Sequence, residues 1–142
     1  MTIAIASDHA GYPLKAVLAD DLRSAGHDVR DLGAADAVTS VDYPDFGRAV
    51  AETVVRGAAR FGVLVCGTGI GISIAANRVG GARAALVHDH LGARLAREHN
   101  DANIIAFGAR VTGVEVARDA LRAFLETDFG GGRHAARVGK LG

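Results

Sequence analysis

The sequence predicts an α/β domain of three layers, in which helices flank both faces of a five-stranded parallel sheet. Two observations carry this prediction. Short runs rich in β-branched residues alternate with longer amphipathic runs along the 142 residues, a pattern typical of strands joined by helical crossovers. The run Phe61–Cys66 is apolar without interruption, as expected for a strand in the middle of a parallel sheet.

Each predicted strand is followed by a helix, and turn-forming residues mark several boundaries. Leucine recurs every fourth residue from Leu14 to Leu22, which gives the first helix an apolar face, and Gly26 ends it. Pro44 suits the first turn of the next helix. We expect residues 1–142 to form one Rossmann-like domain with a short basic tail over 129–142. The predicted strands are 3–6, 28–32, 61–66, 82–87 and 103–107, and the predicted helices are 12–25, 44–56, the end of the glycine run to about 77, 90–98 and 113–126.

Composition excludes several classes of partner. Sixteen basic and sixteen acidic residues cancel, so the chain has no overall field to attract nucleic acid or an anionic membrane, and an anionic partner must be small. A single cysteine cannot form an internal disulfide, and no apolar run reaches the ~20 residues of a membrane span. The segment Met1–Ala6 lacks a basic leader. We therefore expect a soluble, cytoplasmic protein.

Polar clusters follow four of the predicted strands. In open parallel sheets, ligands bind beyond the carboxyl ends of the strands, near the point where the strand order reverses. The sequence therefore places the candidate site in the loops that follow these strands. The clusters are 7–9, 66–71, 88–90 and 108–110.

A glycine loop joins the third strand to its helix. Gly67, Gly69 and Gly71 remove every second side chain there, so backbone N–H groups can converge on an anion or a developing oxyanion at the helix N-terminus. A tight structural turn without a ligand is one alternative. A dinucleotide site, with Asp89 on the ribose, is another; the spacing is G-x-G-x-G rather than G-x-G-x-x-G and follows the third strand, which disfavours it.

Acid–base chemistry has two candidates. Cys66 precedes a helix N-terminus, a setting that favours the thiolate and makes a usable base, although a small buried hydrophobe is the alternative. His99 ends a helix and suits proton donation near neutral pH, although a solvated helix end also favours histidine. His88 and His90 flank Asp89, which is weak evidence for a metal, and we predict neither a metal site nor a cofactor.

Three arginines are candidates for phosphate binding. Arg133 and Arg137 are four residues apart in a segment without acidic residues, so they face the same way on a helical turn. With Arg110 they form a potential fork for phosphate, which arginine binds bidentately. The alternative is a solvated basic tail.

Taken together, these segments resemble the type B ribose-5-phosphate isomerases, a family that also contains galactose-6-phosphate isomerase subunits. The resemblance covers nearly the whole chain, and the order and spacing of its segments are specific. It is carried by Ser7-Asp8-His9-Ala10-Gly11, Asp42-Tyr43-Pro44, residues 66–77 from Cys66 to Asn77, His99-Asn100-Asp101-Ala102-Asn103, Gly108-Ala109-Arg110 and Gly131-Gly132-Arg133-His134-x-x-Arg137.

The resemblance implies a catalytic set. Cys66 would move a proton between C1 and C2 of the open-chain sugar, and His99, assisted by Thr68, would open the furanose ring. Some family members use a carboxylate in place of the thiol, but Ile72 occupies that position here, which favours the thiol version. The enediolate would be stabilised by the backbone of Gly67, Gly69, Ile70 and Gly71.

The resemblance also implies how the substrate is held. The site would be shared between the subunits of a homodimer, or of a tetramer, and would need neither a cofactor nor a metal. The segment 33–41 borders the site and is expected to affect substrate preference. Other phosphorylated aldoses, a hexose 6-phosphate or a tetrose phosphate, remain alternatives, as does a non-catalytic binding module for sugar phosphates or nucleotides. Asp8, His9, Tyr43 and Asn100 would hold the sugar and its phosphate end, and Arg110, Arg133 and Arg137 would bind the phosphate, the last two across the dimer interface.

Overall fold

A computed structural model describes residues 1–142 and contains a five-stranded, all-parallel sheet with helices on both faces, which confirms the predicted fold class. The strands are β1 (Thr2–Ser7), β2 (Asp28–Asp31), β3 (Phe61–Cys66), β4 (Ala84–Leu86) and β5 (Ile104–Gly108). The helices are α1 (Tyr12–Ser24), α2 (Tyr43–Val55), α3 (Ile70–Asn77), α4 (His90–Asn100), α5 (Val114–Glu126) and α6 (Arg133–Gly139). None of the helices combines the length and apolarity that a bilayer crossing requires.

The strand order creates a crevice between β1 and β3. The order is β2-β1-β3-β5-β4, and in the central strands Ile5 pairs with Val63, which pairs with Ile105. From β1 the chain moves to β2 on one side, whereas from β3 it moves toward β4 on the other. This reversal is the topological switch point at which open α/β sheets bind their ligands.

Two apolar cores cover the two faces of the sheet. One core packs α1, α4 and α5 on the sheet, and the other packs α2 and α3. Side chains alternate between the faces along β3, so that Val63 and Val65 join the first core, whereas Leu64 and Cys66 join the second. Cys66 therefore ends the central strand on the side of α2 and α3.

The edge strand β4 is shorter than the sequence predicts. The side chain of Asn77 pairs with the backbone of Ala84, whose N–H donates to Oδ1 at 2.8 Å and whose carbonyl accepts from Nδ2 at 2.9 Å. The N–H of Arg83 donates to the side chain of Asn103 at 2.8 Å. These side chains take the place of strand partners, and the predicted span 82–87 shrinks to three residues.

The C-terminal segment differs from the basic tail expected over 129–142. Residues Arg133–Gly139 form α6, and the N–H of Gly130 donates to the carbonyl of Glu98 at 2.9 Å, which ties the segment to α4. No residue of α6 is fully buried. This helix lacks a periodic apolar face, so its bounds could not be predicted from the sequence.

Gly62 shows how closely α2 approaches the sheet. A Cβ on Gly62 would lie 2.5 Å from a methyl carbon of Val50 and 3.0 Å from a side-chain carbon of Ile104. We expect Gly62→Ala to lower the free energy of unfolding by about 1–3 kcal/mol, as overpacked cores do. Denaturant titration measures the change. Gly80→Ala is the matched control, because a Cβ there meets no atom within 4 Å, and equal losses in both variants would contradict the close approach.

Candidate active site

The thiol of Cys66 lies at the carboxyl edge of the sheet, beside the switch point. It is buried, and its Sγ accepts the N–H of Gly69 at 3.1 Å. This hydrogen bond holds the loop against the sulfur atom. The chain thus folds its own backbone onto the sulfur that would act as the base.

The glycine loop is wedged between its neighbours. Gly69 has a left-handed φ of 77°, and a Cβ there would lie 2.5 Å from Leu86 and 2.8 Å from the backbone of Phe107. A Cβ on Gly71 would lie 2.5 Å from the ring of Tyr43. Side chains at these two positions would push the loop out of the crevice, so both glycines are required by space, and Gly69 by conformation as well.

Several N–H groups of this loop have no partner in the chain. The N–H of Gly69 is used by Cys66, and that of Ile70 donates to Oγ1 of Thr68 at 3.2 Å. The N–H groups of Gly67, Thr68 and Gly71 donate to no other atom of the chain. They precede or open α3, where the helix dipole adds positive potential. The loop can therefore accept an anionic oxygen next to the sulfur of Cys66.

Asp8 and His9 line the same crevice from β1. Oδ1 of Asp8 accepts the N–H of Gly11 at 2.9 Å, which braces the turn into α1 and leaves the second carboxylate oxygen free. Nδ1 of His9 accepts the N–H of Val41 at 3.2 Å. Because Nδ1 is an acceptor, the neutral ring carries its proton on Nε2, and His9 offers a donor there.

The segment 33–41 is held at both ends. Nζ of Lys15, almost fully buried, donates to Asp31 at 2.9 Å and to the carbonyl of Ala34 at 2.7 Å. Within the segment, the backbone N–H groups of Thr39 and Val38 hold the pKa of Asp36 below its ordinary value. The segment thus reaches the crevice as a fixed loop, through its bond to His9. The burial of Lys15 could not be predicted from the sequence, because a lysine beside the apolar face of a helix normally lies in solvent.

Arg110 lies over the start of the glycine loop. A Cβ on Gly67 would lie 3.2 Å from Nη1 of Arg110, and the N–H of Arg110 donates to the carbonyl of Gly67 at 2.9 Å. Its guanidinium makes no salt bridge within the chain and is therefore available to an anion. The sequence-predicted residues that meet at this thiol edge are Asp8, His9, Tyr43, Cys66, Gly67, Thr68, Gly69, Ile70, Gly71 and Arg110.

The remaining predicted residues lie at the opposite edge of the sheet. The helix α4 runs back from the carboxyl end of β4, so His99 and Asn100 lie beside the start of β5. Arg83, just before β4, donates to the carbonyl of Asp101 at 2.8 Å, which fixes this end of α4 at the amino edge. At ~3.3 Å per residue, a six-residue strand separates the two edges by roughly 17 Å. One chain therefore does not bring His99 to its own Cys66.

The amino edge carries a cluster of basic side chains on α4 and α6. Arg133 and Arg137 are exposed and make no salt bridge within the chain. The rings of His99 and His134 stack, with centroids 4.4 Å apart and planes at 16°. Partial burial and the charges of His99, Arg133 and Arg137 lower the pKa of His134, against a smaller opposing effect of Glu98. His134 had no predicted role. We call His99, Asn100, Arg133, His134 and Arg137 the basic edge.

The loop after β4 has a structural explanation. Oδ1 of Asp89 accepts the N–H of Gly92 at 2.7 Å and caps α4, and Nδ1 of His90 lies 3.3 Å from Asp119. The dinucleotide alternative required the carboxylate of Asp89 to bind a ribose, but this carboxylate caps α4 instead. Nowhere do three or more His, Cys, Asp or Glu side chains come together as a set of metal ligands.

Comparison with known proteins identifies the family. A family model described as ribose/galactose isomerase matches residues 3–141. The chain belongs to this family. The resemblance stated from the sequence is confirmed, and the ribose/galactose isomerase family makes the chain an aldose–ketose isomerase, acting on a sugar phosphate.

Relatives named as ribose-5-phosphate isomerase B resemble the chain over nearly its whole length. A solved structure of that enzyme from Clostridium thermocellum is 54% identical with a TM-score of 0.98, covering 100% of this chain and 95% of the other. Ribose-5-phosphate isomerase B of Escherichia coli is 43% identical over 136 residues, 96% of this chain and 91% of that protein. The galactose-6-phosphate isomerase subunit LacB of Clostridium acetobutylicum is 46% identical over 129 residues, 91% of this chain and 74% of that subunit.

The lowered pKa of His134 predicts how pH acts on the basic edge. A histidine that binds its proton less readily when folded stabilises the fold above its ordinary pKa of 6.5, and this contribution is lost as pH falls through the folded-state pKa. We expect NMR titration of the ring protons to place the midpoint of His134 below 6.5. His134→Phe should remove this part of the acid-induced loss of stability. A midpoint at or above 6.5 would contradict the assignment.

Proposed function

We propose that this chain is a ribose-5-phosphate isomerase, which interconverts D-ribose 5-phosphate and D-ribulose 5-phosphate. The observation that carries the proposal is the thiol of Cys66, hydrogen-bonded by Gly69 within a loop where the N–H groups of Gly67, Thr68 and Gly71 are unpaired. A base and an oxyanion cradle thus occupy one loop at the switch point of the sheet. Such a pair is what an aldose–ketose proton shift requires.

The proton shift balances without a redox partner. The thiolate of Cys66 takes the proton from C2 of the open-chain aldehyde, and the electron pair moves toward O1 to give an enediolate. The unpaired N–H groups of Gly67, Thr68 and Gly71 stabilise that negative charge. The thiol then returns the proton to C1 while a proton moves from O2 to O1, and the ketose is formed. No metal or organic cofactor takes part in this scheme.

The crevice supplies groups for the rest of the sugar phosphate. The free oxygen of Asp8, the Nε2 donor of His9 and the hydroxyl of Tyr43 are suited to sugar hydroxyls and the phosphate end, and Arg110 is an unpaired cation beside them. The C. thermocellum structure, which is 54% identical with a TM-score of 0.98, is that of a ribose-5-phosphate isomerase, and this favours a pentose. A turnover screen with pentose, hexose and tetrose phosphates tests this choice against the hexose alternative.

We infer that a second copy of the chain completes the site. His99 cannot reach Cys66 of its own chain, because a parallel strand separates the two edges. In a two-fold dimer, the basic edge of one copy meets the thiol edge of the other, and the same contact recurs at the second site. Exposed apolar side chains near the thiol edge are available for such a contact. They are Ile70 and Ile74 on α3 and Leu91 on α4, each more than half exposed.

Ring opening and phosphate binding are then shared between copies. His99 of one copy donates a proton to the furanose oxygen of the sugar held by the other, near Thr68, and Asn100 contacts the sugar. Arg133 and Arg137 approach the phosphate from the same side and add to Arg110. We also propose that residues 1–142 act as one domain and that the enzyme is cytoplasmic, where its single thiol stays reduced.

Removing the thiol tests the base directly. We expect Cys66→Ala to lower kcat by at least about a hundredfold, the range that general-base groups contribute, without loss of the fold. Coupled turnover assays measure kcat, and calorimetry with ribose 5-phosphate measures binding, which should persist. Ser73→Ala is the control. It removes a hydroxyl of α3 that donates to the carbonyl of Ile70, and it should keep its activity. Wild-type turnover by Cys66→Ala would refute the thiol base, and binding without turnover in the wild type would indicate a binding module.

Mixing two strongly impaired variants tests the shared site. In a dimer of Cys66→Ala with His99→Asn, one site lacks both groups and the other has both. We expect mixing after subunit exchange to restore about a quarter of wild-type activity, since half of the dimers are mixed and each has one intact site. Analytical ultracentrifugation checks that the variants remain dimers. Activity that stays at the level of the separate variants would place Cys66 and His99 of one chain in the same site.

A further inference from the structure

The ring of His99 lacks the hydrogen bond that usually orients a catalytic histidine. In most such sites, the second ring nitrogen bonds to a carboxylate or carbonyl, which fixes the tautomer and the direction of the ring. Neither ring nitrogen of His99 makes a hydrogen bond within the chain, and the nearest carboxylate oxygen, Oε1 of Glu98, is 3.8 Å from Nε2. The orientation of the ring must come from another contact.

That contact is the ring of His134. The two imidazoles are nearly parallel at 16°, with centroids 4.4 Å apart. Such a stack restricts rotation of both rings about their side-chain bonds, because either ring must leave the other to turn. Both side chains are half-buried, whereas Arg133 and Arg137 on the same helix are exposed. Through this stack, α6 contacts α4.

The charges around the two rings favour a neutral His134. His134 faces His99 and Glu98 from α4 and lies between Arg133 and Arg137 on α6, and these surroundings lower its pKa. Two stacked imidazolium ions would repel each other, so a proton on His99 is tolerated best when His134 has none. His134 can thus support a proton-donating His99 without competing for the proton.

We propose that His134 is a positioning residue that holds the imidazole of His99, through ring stacking, in the orientation from which it protonates the sugar ring oxygen in the neighbouring copy. The proposal rests on the proposed function, in which His99 opens the furanose. Besides carrying Arg133 and Arg137, α6 then has a second role. The position of His134 on α6 sets the orientation of the imidazole of His99 on α4. The property of His134 that matters is the flat ring, not its nitrogen atoms.

A double-mutant cycle tests this role. We expect His134→Ala to lower kcat for ribose 5-phosphate on the order of tenfold, because a displaced catalytic group reacts less often, with KM nearly unchanged. His134→Phe keeps a flat ring and should recover most of the loss. In the His99→Asn background, His134→Ala should cause no further loss, because a residue that acts through His99 has nothing left to position.

Three outcomes would overturn the proposal. Additive losses in the double variant would show that His134 acts independently of His99. A raised KM with kcat unchanged, shared by His134→Phe, would show that its nitrogen atoms contact substrate. An equal loss of kcat in Val138→Ala, which alters the other half-buried residue of α6, would show that loosening of the helix is the cause. Thermal unfolding and the dimer mass are measured for every variant.

A measurement without substrate separates this proposal from the proposed function. In the wild type and in His134→Phe, the ring protons of His99 should be shifted upfield in the NMR spectrum by the stacked ring. In His134→Ala they should move to the positions of an exposed histidine. Unchanged shifts in His134→Ala would refute the stack itself. Stacking with no turnover of ribose 5-phosphate in the wild type would instead refute the proposed function. A fully active His99→Asn would refute the ring-opening role of His99 and with it the role of His134.

Discussion

The parallel sheet determines which chemical groups of one chain can meet. A helix that joins two parallel strands must carry the chain back from the carboxyl edge to the amino edge. Cys66 ends the strand β3, whereas His99 ends the returning helix α4, so the thiol and the imidazole lie at opposite edges. No rotamer change spans the roughly 17 Å between them. One copy thus holds the groups proposed as base, oxyanion cradle and acid at two separate edges, and the proposed dimer would bring them together.

The thiol edge depends on space more than on backbone conformation. Of the glycines in and beside the loop, Gly69 has a left-handed φ, whereas Gly71 and Gly108 are required because other atoms occupy the space of a Cβ. A Cβ on Gly108 would lie 2.4 Å from the carbonyl of Thr68. The loop is therefore packed on both sides, and its unpaired N–H groups cannot relax toward one another. A cradle fixed before charge develops is what electrostatic stabilisation needs.

The sequence predicts those features that a periodic pattern or a strand end marks, such as the apolar run of β3 and the loop after Cys66. It could not predict contacts that depend on distant parts of the chain. Lys15 is buried because Asp31 and the carbonyl of Ala34 meet it from the next strand and loop. α6 has no apolar face and docks through a ring on a different helix, so its sequence resembled a solvated tail. The pairing of His99 with His134 was invisible for the same reason.

The division of the site between edges also bears on which sugar is bound. Arg110 lies at the thiol edge with Cys66, whereas Arg133 and Arg137 lie at the basic edge, so in the proposed dimer the space between base and phosphate is bounded by two different copies. Its depth then depends on how α3 and α4 pack across the two-fold axis. Residues that never touch the sugar, such as Ile74, can therefore set its length. This is why one chain fixes the reaction type more firmly than the number of carbons in its substrate.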